Sequence, residues 1–255
     1  MNELAARLAQ VRDLRDQGLV KLDFETMLQT HYRRWIQSGD TVIDVGAHKG
    51  RHLQHFVKCV GSGGKVIAFE PLPIQHSLLR RKYRGNSVSI YRIALSNEVG
   101  QADFTHARGT PEESGLKPRI YNFPRRARPT KIRVKVDKLD TFTSNLSDLS
   151  FIKIDTEGGE IGCLRGATET LARLRPIVSV EYGYPSYSGY GYTRDTLYDL
   201  ASEQDYVLYD IFLNSLANRS DWHIACDSIY WDFFMVPIER EDEFLSRTRE
   251  RSSSR

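Results

Sequence analysis

The sequence predicts an α/β fold: a doubly wound, mostly parallel sheet with an antiparallel edge and helices added at the N-terminus. Three observations predict it. Short, nearly continuous apolar runs recur ("TVIDVGA", "KVIAFE", "FIKID", "IVSVEY"), as strands buried on both faces require. Segments with helical spacing of apolar residues stand between them, the pattern of βαβ units. The last two apolar runs, "YVLYDIF" and "SIYWDFFMVP", are joined by a loop, which supplies the antiparallel edge.

The elements follow in order. Leu4, Leu8, Val11 and Leu14 recur at helical spacing, and Phe24, Met27, Leu28, Tyr32, Trp35 and Ile36 share the face of a second helix. These two helices form an extension over residues 1–38, which would cover a ligand or pair with a second subunit. "SGD" breaks the pattern, and the α/β domain runs over residues 39–240. "TVIDVGA" is its first strand, with the following helix beginning in "HKGRHLQHFVKCV". "KVIAFE", a helix through "IQHSLLRRKY" and the strand "VSIYRIALS" come next. "QADFTHA" and "KIRVKVDKL" read as an antiparallel excursion around an irregular basic loop. "FIKID" is the next central strand; the helices "ETLARLRP" and "RDTLYDLASEQ" flank "IVSVEY". Residues 241–255 are a polar tail, whose end, "RTRERSSSR", reads as disordered.

At 255 residues, 40% apolar and 27% charged, the chain has the composition of a globular protein. No run of 18 apolar residues is present, so no transmembrane segment is expected. The first twenty residues lack an apolar signal core, and the three cysteines are too dispersed for a disulfide framework or a zinc pair. A cytoplasmic location is expected. The formal charge of +3 is unevenly spread: residues 117–138 hold nine Lys or Arg and one acid, while the remainder holds 27 basic and 32 acidic residues, a net of −5.

In a doubly wound sheet, ligands bind beyond the carboxyl ends of the strands, where strand order reverses. The turn after the first strand, "DVGAHKG", carries Asp44, Gly46, His48 and Gly50, and the second strand ends at Glu70 in "FEPLP". Glycines at such a turn let the backbone approach a ligand, and a carboxylate at Glu70 can accept hydrogen bonds from both hydroxyls of a ribose. A dinucleotide enzyme needs G-x-G-x-x-G; Gly46 and Gly50 are spaced G-x-x-x-G, which disfavours an NAD-dependent dehydrogenase. S-adenosylmethionine carries no phosphate, and its methyltransferases place an acid two residues before the first glycine, where Asp44 stands.

"DVGAHKG", "FEPLP", "ALSNEVG", "KLDTF" and "FIKIDTEGGEIGCLRGA" together resemble, in order and spacing, the FkbM family of S-adenosylmethionine-dependent methyltransferases. The resemblance covers residues 40–182, with "IDTEGGE" its most specific piece. It implies a class I methyltransferase (Rossmann-like) fold and methylation of hydroxyls on sugars or polyketide products. It places Asp44, Gly46, Ala47 and Gly50 around the methionine part of the donor and Glu70 on the ribose. Pro71 and Leu72 would flank the adenine, with the turn Ala94–Asn97, including Ser96, at its edge. The family commonly has Asn where this chain has His48. Asp140, in "KLD", reads equally as a functional acid or as the cap of a helix beginning in "TFTSNL".

The cluster "IDTEGGE" holds three carboxylates in six residues. Asp155 lies at the strand tip and Glu157 in the loop, where Gly158 and Gly159 permit a sharp turn. Glu160, entering the next helix, is favoured there by the helix dipole. Asp155 and Glu157 face the donor crevice and would organise the chemistry, with Glu181 at the end of "VSVEY" and His48 as further catalytic candidates. Asp155 could also bind the donor through its sulfonium charge. The acids Asp155, Glu157 and Glu181 suit a divalent metal as well, but the Asp-Asn pair typical of metal-dependent catechol-type enzymes is absent, so a metal is not favoured. His48 and His52, four apart, would share a helical face, but two histidines alone do not make a zinc site.

The acceptor is expected to be a small molecule or glycan. The Asn/Asp-Pro-Pro-aromatic stretch of amino-group DNA methyltransferases is absent, and an acid-lined site suits an alcohol. Tyr182–Tyr192, with five tyrosines, would supply a closing loop that binds a sugar ring. The basic segment 117–138 would bind a phosphate-bearing acceptor or be a solvated hairpin that keeps Ile132, Val134 and Val136 inward. A nucleic-acid-binding protein using that segment is the alternative of another class, disfavoured by the negative remainder.

Overall fold

The computed structural model describes residues 2–85 and 87–249. Helix α1 (Glu3–Asp16) begins where the Asn2 side chain accepts from the amides of Leu4 and Ala5, and α2 (Phe24–Trp35) where Asp23 accepts from Thr26. Of the four apolar positions of α1, Leu4 and Leu8 are buried. In α2, Leu28, Tyr32 and Trp35 join the same core as the sheet.

The chain then runs through β1 (Thr41–Val45), α3 (Leu53–Val60), β2 (Lys65–Phe69), α4 (Pro73–Lys82), β3 (Val88–Tyr91), β4 (Ala94–Leu95) and β5 (Gly100–Ala107). A single turn, α5 (Pro124–Ala127), precedes β6 (Pro129–Asp137), and another, α6 (Asp140–Thr143), precedes β7 (Phe151–Ile154). Next come α7 (Glu160–Arg165), α8 (Thr168–Leu174), β8 (Ile177–Glu181), the turn α9 (Tyr184–Tyr187), α10 (Arg194–Glu203) and β9 (Tyr206–Asp210). The last elements are α11 (Arg219–Ala225), β10 (Asp232–Pro237) and α12 (Glu241–Arg249).

The main sheet has the order β3-β2-β1-β7-β8-β10-β9. It is parallel from β3 to β8, and β10 runs antiparallel to both β8 and β9. The antiparallel edge is therefore made by the last two strands, with β10 inserted second from the edge. Every residue of β1 and β7 is buried, which explains why they are apolar apart from Thr41, Asp44 and Lys153. Strand order reverses between β1 and β7, so the crevice for a ligand lies at their carboxyl tips.

Four expectations are corrected. "VSIYRIALS" is two strands: β3 joins the main sheet, while β4 turns away to pair with β6 in a three-stranded sheet β4-β6-β5. That small sheet has its own apolar cluster, in which Ala94 packs with Leu72, Phe104, Val134 and Val136. The helix after β1 starts at Leu53, because His48 (φ 44°) and Gly50 (φ 80°) hold the chain in left-handed conformations. His48 and His52 therefore share no helical face. The helix α11 between β9 and β10 stands where a loop was expected, its start capped by Asn218. The polar tail is a helix as far as Arg249, because α12 buries Phe244 against Trp35 and Phe234 and also buries Thr248; residues 250–255 lie outside the described ones.

Candidate functional site

The turn after β1 is stitched to both neighbouring strand tips. The amides of Gly46 and Ala47 donate to the Phe69 carbonyl at 3.0 and 3.1 Å, and the Asp155 amide donates to the Val45 carbonyl at 3.1 Å. A Cβ on Gly46 would stand 1.9 Å from the Asp155 carbonyl oxygen, and its φ is +82°. Only glycine lets β1 and β7 approach this closely. His48 adopts its positive φ, which histidine tolerates better than most side chains, and its amide donates to Glu70 Oε2 at 2.7 Å. Glu70 Oε1 accepts from the Leu72 amide at 2.8 Å. Burial pushes the Glu70 carboxyl up to about 7, although these two amides oppose the rise.

A crevice opens over these tips. Val45, Gly46, His48, Glu70, Pro71, Leu72 and Ala94 line it, as do Asp155, Thr156 and Glu157. A second compartment, of about 400 Å³, opens beside it. The two share Gly46, His48, Glu112, Asp155 and Glu157, and Glu25, Ala47, Lys49, Arg51, His52 and Lys153 complete the second. Glu25 comes from α2, so the N-terminal helices form part of the wall. Burial works against its charge, but bonds from His52, Gln29 and Arg51 hold its carboxyl at about 2.

Each acid of "IDTEGGE" has its own counter-group. Asp155 Oδ2 accepts from Lys153 Nζ at 2.9 Å. Burial opposes its ionisation, but Lys153 and a hydrogen bond from the Glu181 carboxyl hold Asp155 below the usual carboxylate range. Glu181 is driven well above it by burial and by Asp155, so Glu181 carries the shared proton. Glu157, at φ 58°, pairs with the buried Arg119 of the basic segment. Glu160 Oε1 accepts from the amides of Thr156 and Gly158 and from the Thr156 hydroxyl, clasping the loop rather than serving the crevice.

Behind this layer, Asp44 is buried with both carboxyl oxygens unpartnered, and burial raises its pKa despite Lys153, its register neighbour on β7. Asp232, opposite Glu181 on β10, is pushed up to about 7 by burial. Lys153 is itself buried; desolvation works against its charge, but Asp155 and Asp44 hold it protonated. Asp155, Glu157 and Glu181 each bring an oxygen within 4.8 Å of the others, a spacing that suits a cation. A metal there would have to displace Lys153 from Asp155, Arg119 from Glu157 and the proton from Glu181.

His48 Nε2 is buried without a partner, and desolvation lowers the His48 pKa, leaving a neutral imidazole at pH 7. Asp155 retains 34% exposure of its side chain and so remains accessible from the crevice.

Other expected site residues lie elsewhere. Gly50 lines neither compartment; a Cβ there would stand 2.8 Å from Leu79 Cδ2, a contact the leucine can relieve, and it is the φ of +80° that favours glycine. Ser96 and Asn97 pack against Gly162 and Gly166 at α7, beyond the crevice lining, because the chain turns away after β4. Asp140 caps α8 instead of the helix it begins: its carboxylate accepts from the amides of Thr170 (2.8 Å) and Glu169 (3.2 Å). The tyrosine-rich loop lines neither compartment. Tyr187 donates to Asp227, Tyr182 to the Thr193 carbonyl, and Tyr190 packs against the acid loop from outside. In the basic segment, Val134 and Val136 face inward, and Lys131, Arg133 and Lys135 pair with Asp103 or Asp137.

Sequence reasoning missed Lys153, Asp232, Arg119, Glu112 and Glu25. A lysine inside "FIKI" was the one available signal, since an unpaired cation in a fully buried strand is untenable. Nothing local marks Arg119 as the member of a basic run that turns inward.

Residues 44–208 match the profile of the family described as Methyltransferase FkbM domain. Methyltransferase sdnD of Sordaria araneosa is 23% identical over 236 residues, covering 81% of this chain and 84% of that protein. Among solved structures, methyltransferase FkbM from Methylobacillus flagellatus KT is similar at TM-score 0.48 and 17% identity over 78% of this chain, which spans 44% of that one. The O-methyltransferase from Bacillus cereus in complex with SAH is similar at TM-score 0.43 and 11% identity, over 92% of this chain and 90% of that one.

Proposed function

Because the chain belongs to the methyltransferase FkbM family, we propose that it is an O-methyltransferase, carrying a methyl group from S-adenosylmethionine to a hydroxyl of a sugar or polyhydroxylated natural product. The observation that carries this reading is Asp155, whose side chain is 34% exposed on the wall common to both compartments, where the His48 imidazole also lies. The donor supplies a methyl group activated by its sulfonium.

The residues present fit that donor. Glu70 uses one lone pair per oxygen on backbone amides and keeps the others for ribose hydroxyls. Leu72 and Ala94, with Pro71, offer an apolar wall to the adenine, and Gly46 and Ala47 leave room along the β1 turn for the methionine part. Asp44 acts through Lys153, one layer behind. Gly50, Ser96 and Asn97 support the fold around this site rather than the donor.

The second compartment is the acceptor room. Ionised Asp155 accepts a hydrogen bond from a neighbouring hydroxyl of the polyhydroxylated acceptor and so orients the reacting one, while Lys153 and protonated Glu181 fix the Asp155 carboxylate. His48 Nε2 takes the hydroxyl proton. Glu157, held by Arg119, shapes the partition between compartments. A positioned base contributes about 10²–10⁴-fold, and alignment of two substrates contributes up to about 7–11 kcal/mol, so alignment dominates. Charge balance within the chain supports catalysis without a metal. The thiols Cys59, Cys163 and Cys226 are all free, in keeping with a cytoplasmic setting.

Thermal unfolding with and without S-adenosylhomocysteine tests the donor. Ligand at about 1,000 times its Kd adds roughly 4 kcal/mol, a rise on the order of 10 °C for a chain this long. Transfer of labelled methyl to a panel of sugars, polyols and amines then tests the acceptor. Labelling confined to amines, or no thermal rise, would overturn the reading.

A further inference from the structure

We propose that the corner carrying Arg108, Ile120–Arg128 and Tyr184 docks on an anionic lipid membrane. Ile120, Phe123 and Tyr184 are 56%, 64% and 56% exposed. Backbone bonds bring them together: the Ile120 amide donates to the Pro185 carbonyl at 3.2 Å, next to Tyr184. Phe123 begins the single turn α5, its carbonyl accepting from the amides of Arg126 and Ala127 at 2.9 and 3.0 Å. The Gly109 amide donates to the Ala127 carbonyl at 3.0 Å, which sets Arg108 on the same corner.

Four arginines, Arg108, Arg125, Arg126 and Arg128, are exposed there. Among the described residues, no carboxylate lies within ion-pair distance of any of them, whereas Lys131, Arg133 and Lys135 on the adjoining strand are all paired. The acids bonded to this corner are engaged by it: Glu113 accepts from the Asn122 amide, and Asp227 from the Tyr184 amide and the Tyr187 hydroxyl.

The charge of the whole chain points the same way. Residues 117–138 hold nine basic residues and one acid against a net of −5 elsewhere, so an anionic surface attracts this corner and repels the rest. Arginines beside exposed Ile, Phe and Tyr match the boundary between lipid headgroups and acyl chains, where the cations meet phosphates and the apolar tips insert. A nucleic acid would match the arginines but leave Ile120 and Phe123 in water. No helix among the described residues is long and apolar enough to cross a membrane, so the attachment is peripheral. The corner adjoins the crevice through Arg119, which pairs with Glu157.

The test is co-sedimentation of the full chain with vesicles of phosphatidylglycerol and phosphatidylcholine, against pure phosphatidylcholine, at low and high salt. The wild type is expected to bind only the anionic vesicles and to be released by salt. Arg125→Glu/Arg126→Glu/Arg128→Glu should weaken partitioning by about tenfold or more, and Ile120→Ser/Phe123→Ser should weaken it as well. Both variants should keep the wild-type thermal response to S-adenosylhomocysteine, which separates docking from donor binding and from misfolding. Absence of wild-type binding, equal binding by the variants, or displacement from vesicles by duplex DNA with no effect of Ile120→Ser/Phe123→Ser would overturn the proposal.

Discussion

Lys153 and Asp155 lie two apart at the end of β7, and Lys153 Nζ stands 2.9 Å from Asp155 Oδ2. Alternate residues of a strand share a face, so a buried cation is delivered directly beneath an acid at the strand tip. Lys153 also neighbours Asp44 across the sheet. Removing one partner of a buried pair typically costs about 3–5 kcal/mol. Lys153→Met is therefore expected to lower the Tm by on the order of 10 °C, read by calorimetry. An unchanged Tm would show that the acids do not depend on this cation.

His48 and Asp155 are assigned different roles, and their variants should separate them. His48→Asn keeps a residue tolerant of positive φ while removing the base, so kcat should fall about 10²-fold with donor affinity retained. Asp155→Asn should lower turnover far more than it lowers S-adenosylhomocysteine affinity. Normal turnover in both variants would remove the proton acceptor and the orienting acid together.

Glu70→Ala should abolish the thermal response to S-adenosylhomocysteine. It also leaves the His48 and Leu72 amides without their acceptor, a loss of about 1–3 kcal/mol, so the variant should fold with a modestly lower Tm. An undiminished ligand response would show that the ribose contact lies elsewhere.

The same carboxyl predicts a pH dependence. Burial raises Glu70 from its ordinary 4.5 to about 7, so the folded protein holds this proton more tightly than the unfolded chain does. Its contribution is full below pH 4.5 and is lost as pH rises through 7, a change of about 3 kcal/mol. Asp232, raised from 3.8 to about 7, acts in the same direction. Between pH 5 and pH 8 the Tm of the ligand-free protein should fall more steeply in the wild type than in Glu70→Gln; parallel profiles would contradict the assignment.

Gly46→Ala tests the closest backbone approach in the site. The added Cβ would overlap the Asp155 carbonyl oxygen at a backbone conformation unfavourable to alanine. Loss of several kcal/mol is expected, together with loss of the ligand response. Gly50→Ala should also destabilise, through its φ of +80°, but any folded fraction should still bind S-adenosylhomocysteine. If Gly50→Ala folds and does not bind, Gly50 contacts the donor after all.

The strands and most helices were legible because burial on both faces leaves a local apolar record and glycines punctuate the turns. Glu70 and Asp155 were legible for a related reason: a polar residue ending an apolar strand marks a strand tip. The division of "VSIYRIALS" was not, since Ile93, Ala94 and Leu95 suit either sheet equally well and only the corner at Arg92 separates them. The helical state of Arg247, Thr248 and Arg249 was hidden because Thr248 is buried by packing on other elements, not by its own polarity.

By itself the sequence determined the alternating fold, the glycine turn after β1 with the acid that ends β2, and the presence of three crowded acids. The tertiary structure decided how those acids coexist: Lys153 from within β7, Arg119 from a distant loop and a proton shared with Glu181 each neutralise one part of the cluster. It also set Gly50 in a left-handed turn, Asn97 beside α7 and the Asp140 carboxylate at the cap of α8. The physical reason is range. Periodicity and turn chemistry act between near neighbours and are written locally, whereas desolvation and ion pairing depend on which distant groups the fold brings within a few ångströms.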